Sequence, residues 1–102
     1  MEWYQYLAGF FAGAFLANAV PHFVNGISGN KFPTPFSKPP GKGLSSPLVN
    51  TVWGLLNMLI GWLLIEPGHV FAQTHIPLLV AFIGAALLSI MLSINFAKKH
   101  KE

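Results

Sequence analysis

The chain has 102 residues, 53% of them hydrophobic and only 9% charged, against about 25% charged in an ordinary soluble domain. A chain this apolar, with its apolar residues gathered into long runs, takes lipid as its solvent, and its length allows one domain spanning residues 1–102. The six basic residues are all lysine, cysteine is absent and the net charge is only +3. That excludes disulfides, thiolate metal sites and guanidinium clamps on phosphate, and it leaves no footprint for nucleic acid.

Three stretches free of charge predict an all-α integral membrane protein with transmembrane helices at about 3–24, 48–65 and 76–96. In the first, Trp3, Tyr4 and Tyr6 suit the headgroup interface, where an amphipathic ring keeps one side wet. Gly9, Gly13 and Ala17 recur every four residues, a small-residue stripe that lets another helix backbone come close. Asn18, Pro21, His22 and Asn25 share a polar face at the far end of this helix, away from the glycines. Ala17-Asn18-Ala19 resembles a signal-peptidase site, but Glu2 stands where a leader carries Lys or Arg, and glycines break the apolar core. The span is therefore read as one that stays.

The connector, about 25–46, holds four glycines and the prolines Pro33, Pro35, Pro39 and Pro40, a density that forbids a regular helix. Phe32 and Phe36 speak against a fully solvated linker, so Phe32-Pro33-Thr34-Pro35-Phe36 is expected to lie on the bilayer surface or to pack across the helix ends. Ser46 then reads as an N-cap and Pro47 as a first-turn residue. The second span carries Asn50, Gly54, Asn57 and Gly61 on one narrow stripe bordered by Trp53, and it stops at Glu66-Pro67-Gly68. An amide left in hydrocarbon without a partner is costly, so this stripe should face protein. In the third span, with Thr74 expected as its cap, Ala81, Ala85, Ser89 and Ser93 make a third small-residue row.

Orientation follows from the lysines. Lys31, Lys38 and Lys42 lie in the connector and Lys98, Lys99 and Lys101 in the C-terminal tail, two segments that three spans place on one side. The positive-inside rule makes that side cytoplasmic and the N-terminus external. All six are placed to meet lipid headgroups.

Chemistry-bearing candidates are few. Asn18, His22, Asn25, Asn50, Trp53 and Asn57 make up either a polar pocket or a set of interhelical hydrogen bonds. His22 is a ligand or proton-handling group, or an interfacial imidazole bonded to a carbonyl freed by Pro21. Trp53 stacks on a planar ligand or simply packs. Pairing His22 with His69 or His75 around a haem or metal is disfavoured, since the topology puts them on opposite faces, and His69 with His75 alone is short of ligands. Gly41-Lys42-Gly43-Leu44-Ser45-Ser46 lacks the spacing of a phosphate loop. No carboxylate lies inside a span, which argues against a proton-coupled exporter of the small multidrug resistance type. No catalytic set, metal site or cofactor is expected.

The segments FLANAVPHFVNGISG, FPTPFSKPPGKGLSSP and VNTVWGLLN resemble a group of small uncharacterised bacterial inner-membrane proteins. That resemblance covers about half of the chain and implies a multi-pass protein of the bacterial cytoplasmic membrane, with no activity to carry over. In layout alone the chain is similar to half-size bacterial sugar transporters, which have three spans, an outside N-terminus and a homodimeric pocket. Their first helix has a Pro-Gln pair where this chain has Pro21-His22, and their third helix supplies a pocket asparagine, whereas Asn95 here lies at the far end of the third span. The reading is thus a non-catalytic accessory or scaffold subunit that self-associates or joins a larger membrane complex, because a lone three-helix chain is expected to leave one small-residue stripe uncovered. The alternative is a homodimeric permease for a small neutral solute such as a sugar.

Overall fold

A computed structural model describes residues 2–71 and 75–99. It contains three helices, α1 (Trp3–Ile27), α2 (Pro47–Ile65) and α3 (Ile76–Phe96). All three are long and apolar enough to cross a membrane. The chain is therefore built as a multi-pass membrane protein. Its longest dimension, 45 Å, matches a bilayer of about 40–45 Å including headgroups.

Helix ends follow local chemistry. Gln5 caps the start of α1, its Oε1 accepting from the Glu2 backbone N–H at 2.8 Å. Ser46 Oγ accepts from the Val49 backbone N–H at 3.1 Å, and Pro47 occupies the first turn, where its missing N–H has no helical partner to lose. His75 stands at the N-cap position of α3, and Thr74 lies outside the described residues. α1 runs three residues beyond its expected end and passes through Pro21. Two contacts hold that last turn helical: the Asn25 amide donates to the Pro21 carbonyl at 2.7 Å, and Gly26 lies against Thr51 and Pro47 of α2.

The layout is a central helix with a neighbour on each side. α1 packs against both α2 and α3, while no Cα of α2 lies within 8 Å of one in α3. α2 is antiparallel to α1. Asn50, Gly54, Asn57 and Gly61 are all buried there, with Gly54 against the Phe23 backbone and Gly61 against Leu16 and Ala12. α3 runs parallel to α1. Gly13 fits against Ala81 and Ala85, and Gly84 receives the Phe10 carbonyl so closely that a Cβ at either glycine would overlap backbone. At the N-terminal end of α1, the second loop closes the bundle by laying Gly68 on Gly9 and burying Val70 beside Ala12 and Ala81.

One helix therefore serves two small-residue contacts at once, on different sides of its circumference. The expectation of a whole unused stripe gives way to a half-used one: Ala81 is buried and Ala85 partly so, but Ser89 and Ser93 are exposed. Elsewhere the surfaces of α2 and α3 are covered with exposed leucine, isoleucine and phenylalanine, as a lipid solvent requires.

Because the Phe10 carbonyl occupies the space of a side chain at position 84, Gly84→Leu should prise α1 from α3 and cost about 1–3 kcal/mol. A melting curve in mild detergent should shift downward for this variant and stay unchanged for the lipid-facing Leu87→Ile.

Candidate functional site

The polar residues collect at the connector end of the bundle, where α1 and α2 exchange side-chain hydrogen bonds. Asn18 Nδ2 donates to Asn57 Oδ1 at 2.9 Å, and Asn57 Nδ2 donates to the Trp53 carbonyl at 2.7 Å. One turn further along α1, His22 Nδ1 lies 2.9 Å from Asn50 Oδ1. The Asn50 amide nitrogen meanwhile donates to the carbonyls of Phe32 (2.9 Å), Ser46 (3.1 Å) and Ser45 (3.3 Å). Asn50, Asn57 and His22 are at most 2% exposed.

This network settles atoms that geometry alone would leave ambiguous. Carbonyl oxygens only accept, so Asn50 must present Nδ2 to them and Oδ1 to His22. Nδ1 of His22 must then carry a proton and donate. In the neutral ring, Nε2 is an acceptor with a free lone pair, and it has no hydrogen-bond partner among the described residues.

The connector is folded over this cluster as an ordered cap. Phe32 and Ser45 form a two-way backbone bridge, each N–H donating to the other's carbonyl at 3.2 and 3.0 Å. Thr34, 1% exposed, is its hub. The Thr34 carbonyl accepts from the Ser37 hydroxyl and the Gly41 N–H, and its own hydroxyl meets Ser45 Oγ at 2.6 Å. The left-handed conformation at Gly41 (φ 74°) turns the chain back toward α2. Of the two expectations for Phe32-Pro33-Thr34-Pro35-Phe36, packing across the helix ends describes the result: Phe32, Pro33 and Thr34 are buried, and exposed Phe36 stands edge-on to Trp53 at 5.2 Å.

His22 is boxed by aromatic rings from three elements. Phe32 of the connector, Phe96 of α3 and Trp53 of α2 present themselves edge-to-face at centroid distances of 5.5, 5.9 and 6.4 Å. Lys99 Nζ lies 5.9 Å from the Phe32 centroid, and the Asn95 amide donates to the Gly41 carbonyl at 3.3 Å. These contacts seat the end of α3 on the connector, so Lys31, Lys38, Lys42, Lys98 and Lys99 belong to one end of the bundle; Lys101 lies outside the described residues. At the other end Gln5 Nε2 lies 2.6 Å from His69 Nε2.

Of the six polar candidates, the structure thus brings together Asn18 with Asn57 and His22 with Asn50, and sets Trp53 beside them. It turns Asn25 aside onto its own helix. His22 meets an asparagine rather than a carbonyl freed by Pro21, and it lies at the end of the bundle opposite His69. Phe96, Asn95 and Thr34 join the cluster without having been singled out by residue type or spacing. Thr34 came only as part of the Phe32–Phe36 segment expected on the bilayer surface or across the helix ends, and the signal for Asn95 and Phe96 was topological, since three spans must return the end of α3 to the connector. In comparisons with known proteins, no family model, no curated protein and no solved structure matches this chain.

Asn50 links α1, α2 and the connector, whereas Asn57 links only α1 and α2. Asn50→Leu should therefore cost about 2–3 kcal/mol by stranding buried carbonyls and the His22 N–H, and it should speed tryptic cleavage after Lys31 and Lys42. Asn57→Leu should cost less and leave the proteolysis pattern native.

Proposed function

We propose that this chain is a non-catalytic subunit of the bacterial cytoplasmic membrane, with its N-terminus outside, that acts by assembling with itself or with other membrane polypeptides. The observation that carries this reading is a groove left open between α1 and α3. It has a volume of about 460 Å³ and is lined by Ala17, Val20, Pro21, Ser89, Leu92, Ser93 and Phe96. Ala17 and the two serines are the unused ends of two small-residue stripes, which lie side by side. Such a surface lets a further helix approach closely and offers hydroxyls for interhelical hydrogen bonds. Ser89 Oγ now donates to the Ala85 carbonyl in its own helix at 2.7 Å, so the site is polar without being unsatisfied.

The polar cluster supports the same reading from the other direction. Asn50 and Asn57 are fully buried, and their amide nitrogens donate to backbone carbonyls while their oxygens accept from α1. That use is structural and stabilises the bundle at roughly 0.6–2 kcal/mol for each interhelical bond. A permease that relied on these two amides would have to break the contacts that hold α1 to α2. Membership of a bacterial inner-membrane family and the inward placement of the lysines rest on the sequence segments and on the positive-inside rule.

Two measurements test the proposal. Native mass spectrometry after gentle detergent extraction should find the chain in a stoichiometric assembly that Ser89→Leu with Ser93→Leu dissociates, and liposomes holding the pure chain should show no solute flux; a stable monomer or sugar uptake would sink it. In an accessibility map, cysteines at Lys42→Cys and Lys99→Cys should both be labelled from the cytoplasmic side, and one at Tyr4→Cys from outside.

A further inference from the structure

The charges of this chain are sorted between the two ends of the bundle. Among the described residues, every lysine lies at the connector end. Both glutamates, Glu2 and Glu66, lie at the other, where Gly68 of the second loop rests on Gly9 of α1. A cleft of about 210 Å³ opens at this second end, lined by Trp62, Leu63, Ile65, Glu66 and Phe71. It is more enclosed than the groove between α1 and α3 and shares no lining residue with it.

Three features of this cleft favour a positive charge. No described residue forms an ion pair with the Glu66 carboxylate. α2 ends beside it at Ile65 with no basic residue in its last turn, so the negative end of the helix dipole stands uncompensated. Trp62 and Phe71 are 70% and 77% exposed and meet no other described ring, which leaves both free to attract a cation. A space of this volume is roughly 7 Å across, so a cation inside it comes within the ~6 Å over which an aromatic ring attracts one. The cleft also lies at the level where headgroups begin: the 19 residues of α2 span about 28 Å, close to the ~30 Å of a hydrocarbon core. Below it Leu63, Leu59 and Leu55, all exposed, recur every four residues as an apolar row along α2. A hydrated inorganic cation has no use for that row, whereas a lipid whose headgroup ends in an ammonium group uses both the row and the cleft.

We propose that this cleft holds the headgroup of a zwitterionic amine lipid, its ammonium group against Glu66, Trp62 and Phe71 and one acyl chain along Leu63, Leu59 and Leu55. The site does not rest on the assembly proposed above, because α2 and the second loop of a single chain supply every residue of it.

The full chain in phosphatidylglycerol nanodiscs can be photolabelled with trace phosphatidylethanolamine bearing an acyl-chain diazirine, and the modified residues located by mass spectrometry. Labelling should concentrate on Leu55, Leu59 and Leu63. Unlabelled phosphatidylethanolamine should compete for it, and its N-acetylated form, which keeps the chains and phosphate but has no cation, should compete about twofold to fivefold less well, the scale of one exposed ion pair with a ring contact. Glu66→Gln should reduce labelling by a similar factor, while Glu2→Gln, at the same end but outside the cleft, should leave it unchanged. The competitor series on the native chain stands whether or not either variant folds. Labelling spread evenly over lipid-facing residues such as Phe82 and Ile90 would overturn the proposal, as would equal competition by the acetylated lipid or native labelling of Glu66→Gln. Displacement by millimolar O-phosphoethanolamine would make the ligand a soluble amine and overturn the assignment to a lipid.

Discussion

The side-chain amide of Asn50 is the contact on which the rest of the connector end depends. From one position in the first turn of α2, it accepts from His22 of α1 and donates to carbonyls of the connector and of its own helix cap. In water such an arrangement would gain little, since each group would exchange one hydrogen bond for another. With lipid on the outside and protein within, an unmade bond has no solvent to fall back on, and the alternative arrangements of α1, α2 and connector become expensive. The network therefore contributes to which arrangement forms at least as much as to how stable it is.

A second constraint is the closeness of α1 to both neighbours. Hydrocarbon tails are as apolar as leucine, so burial against another helix brings no solvent-driven gain, and association rests on dispersion and on hydrogen bonds. Dispersion falls off within fractions of an ångström, which is why the contacts are made by glycine and alanine backbones rather than by large side chains. Gly54 and Gly61 on one side of α1, with Gly13 and Gly84 on the other, let the axes approach. The large residues point outward to lipid. This inversion of a soluble bundle leaves a gap between α2 and α3, bordered by Phe11, Phe15 and Leu88.

The connector shows how a segment rich in proline and glycine can still be ordered. Prolines lower the entropy lost on folding, and the few donors that remain are used within the segment, most of them around Thr34. Its order is then coupled to the bundle through Phe32, which touches both His22 and Phe96 and makes the backbone bridge next to Asn50.

Much of this was legible in the residues themselves. The three spans, the Ser46-Pro47 start of α2, the single stripe of Asn50, Gly54, Asn57 and Gly61, and the grouping of lysines all follow from local rules: hydropathy over a window, cap chemistry, a 3.6-residue period and a charge count. Each depends on neighbours along the chain, and a sequence records those directly. The pairing of Asn18 with Asn57 and of His22 with Asn50, the placement of α1 between the other two helices, and the folding of the connector into an aromatic box with Phe96 were decided only in three dimensions. Such contacts depend on how far each helix is rotated about its axis and at what angle it crosses the next. Small changes in either would exchange one asparagine partner for another while leaving every local pattern in the chain unaltered.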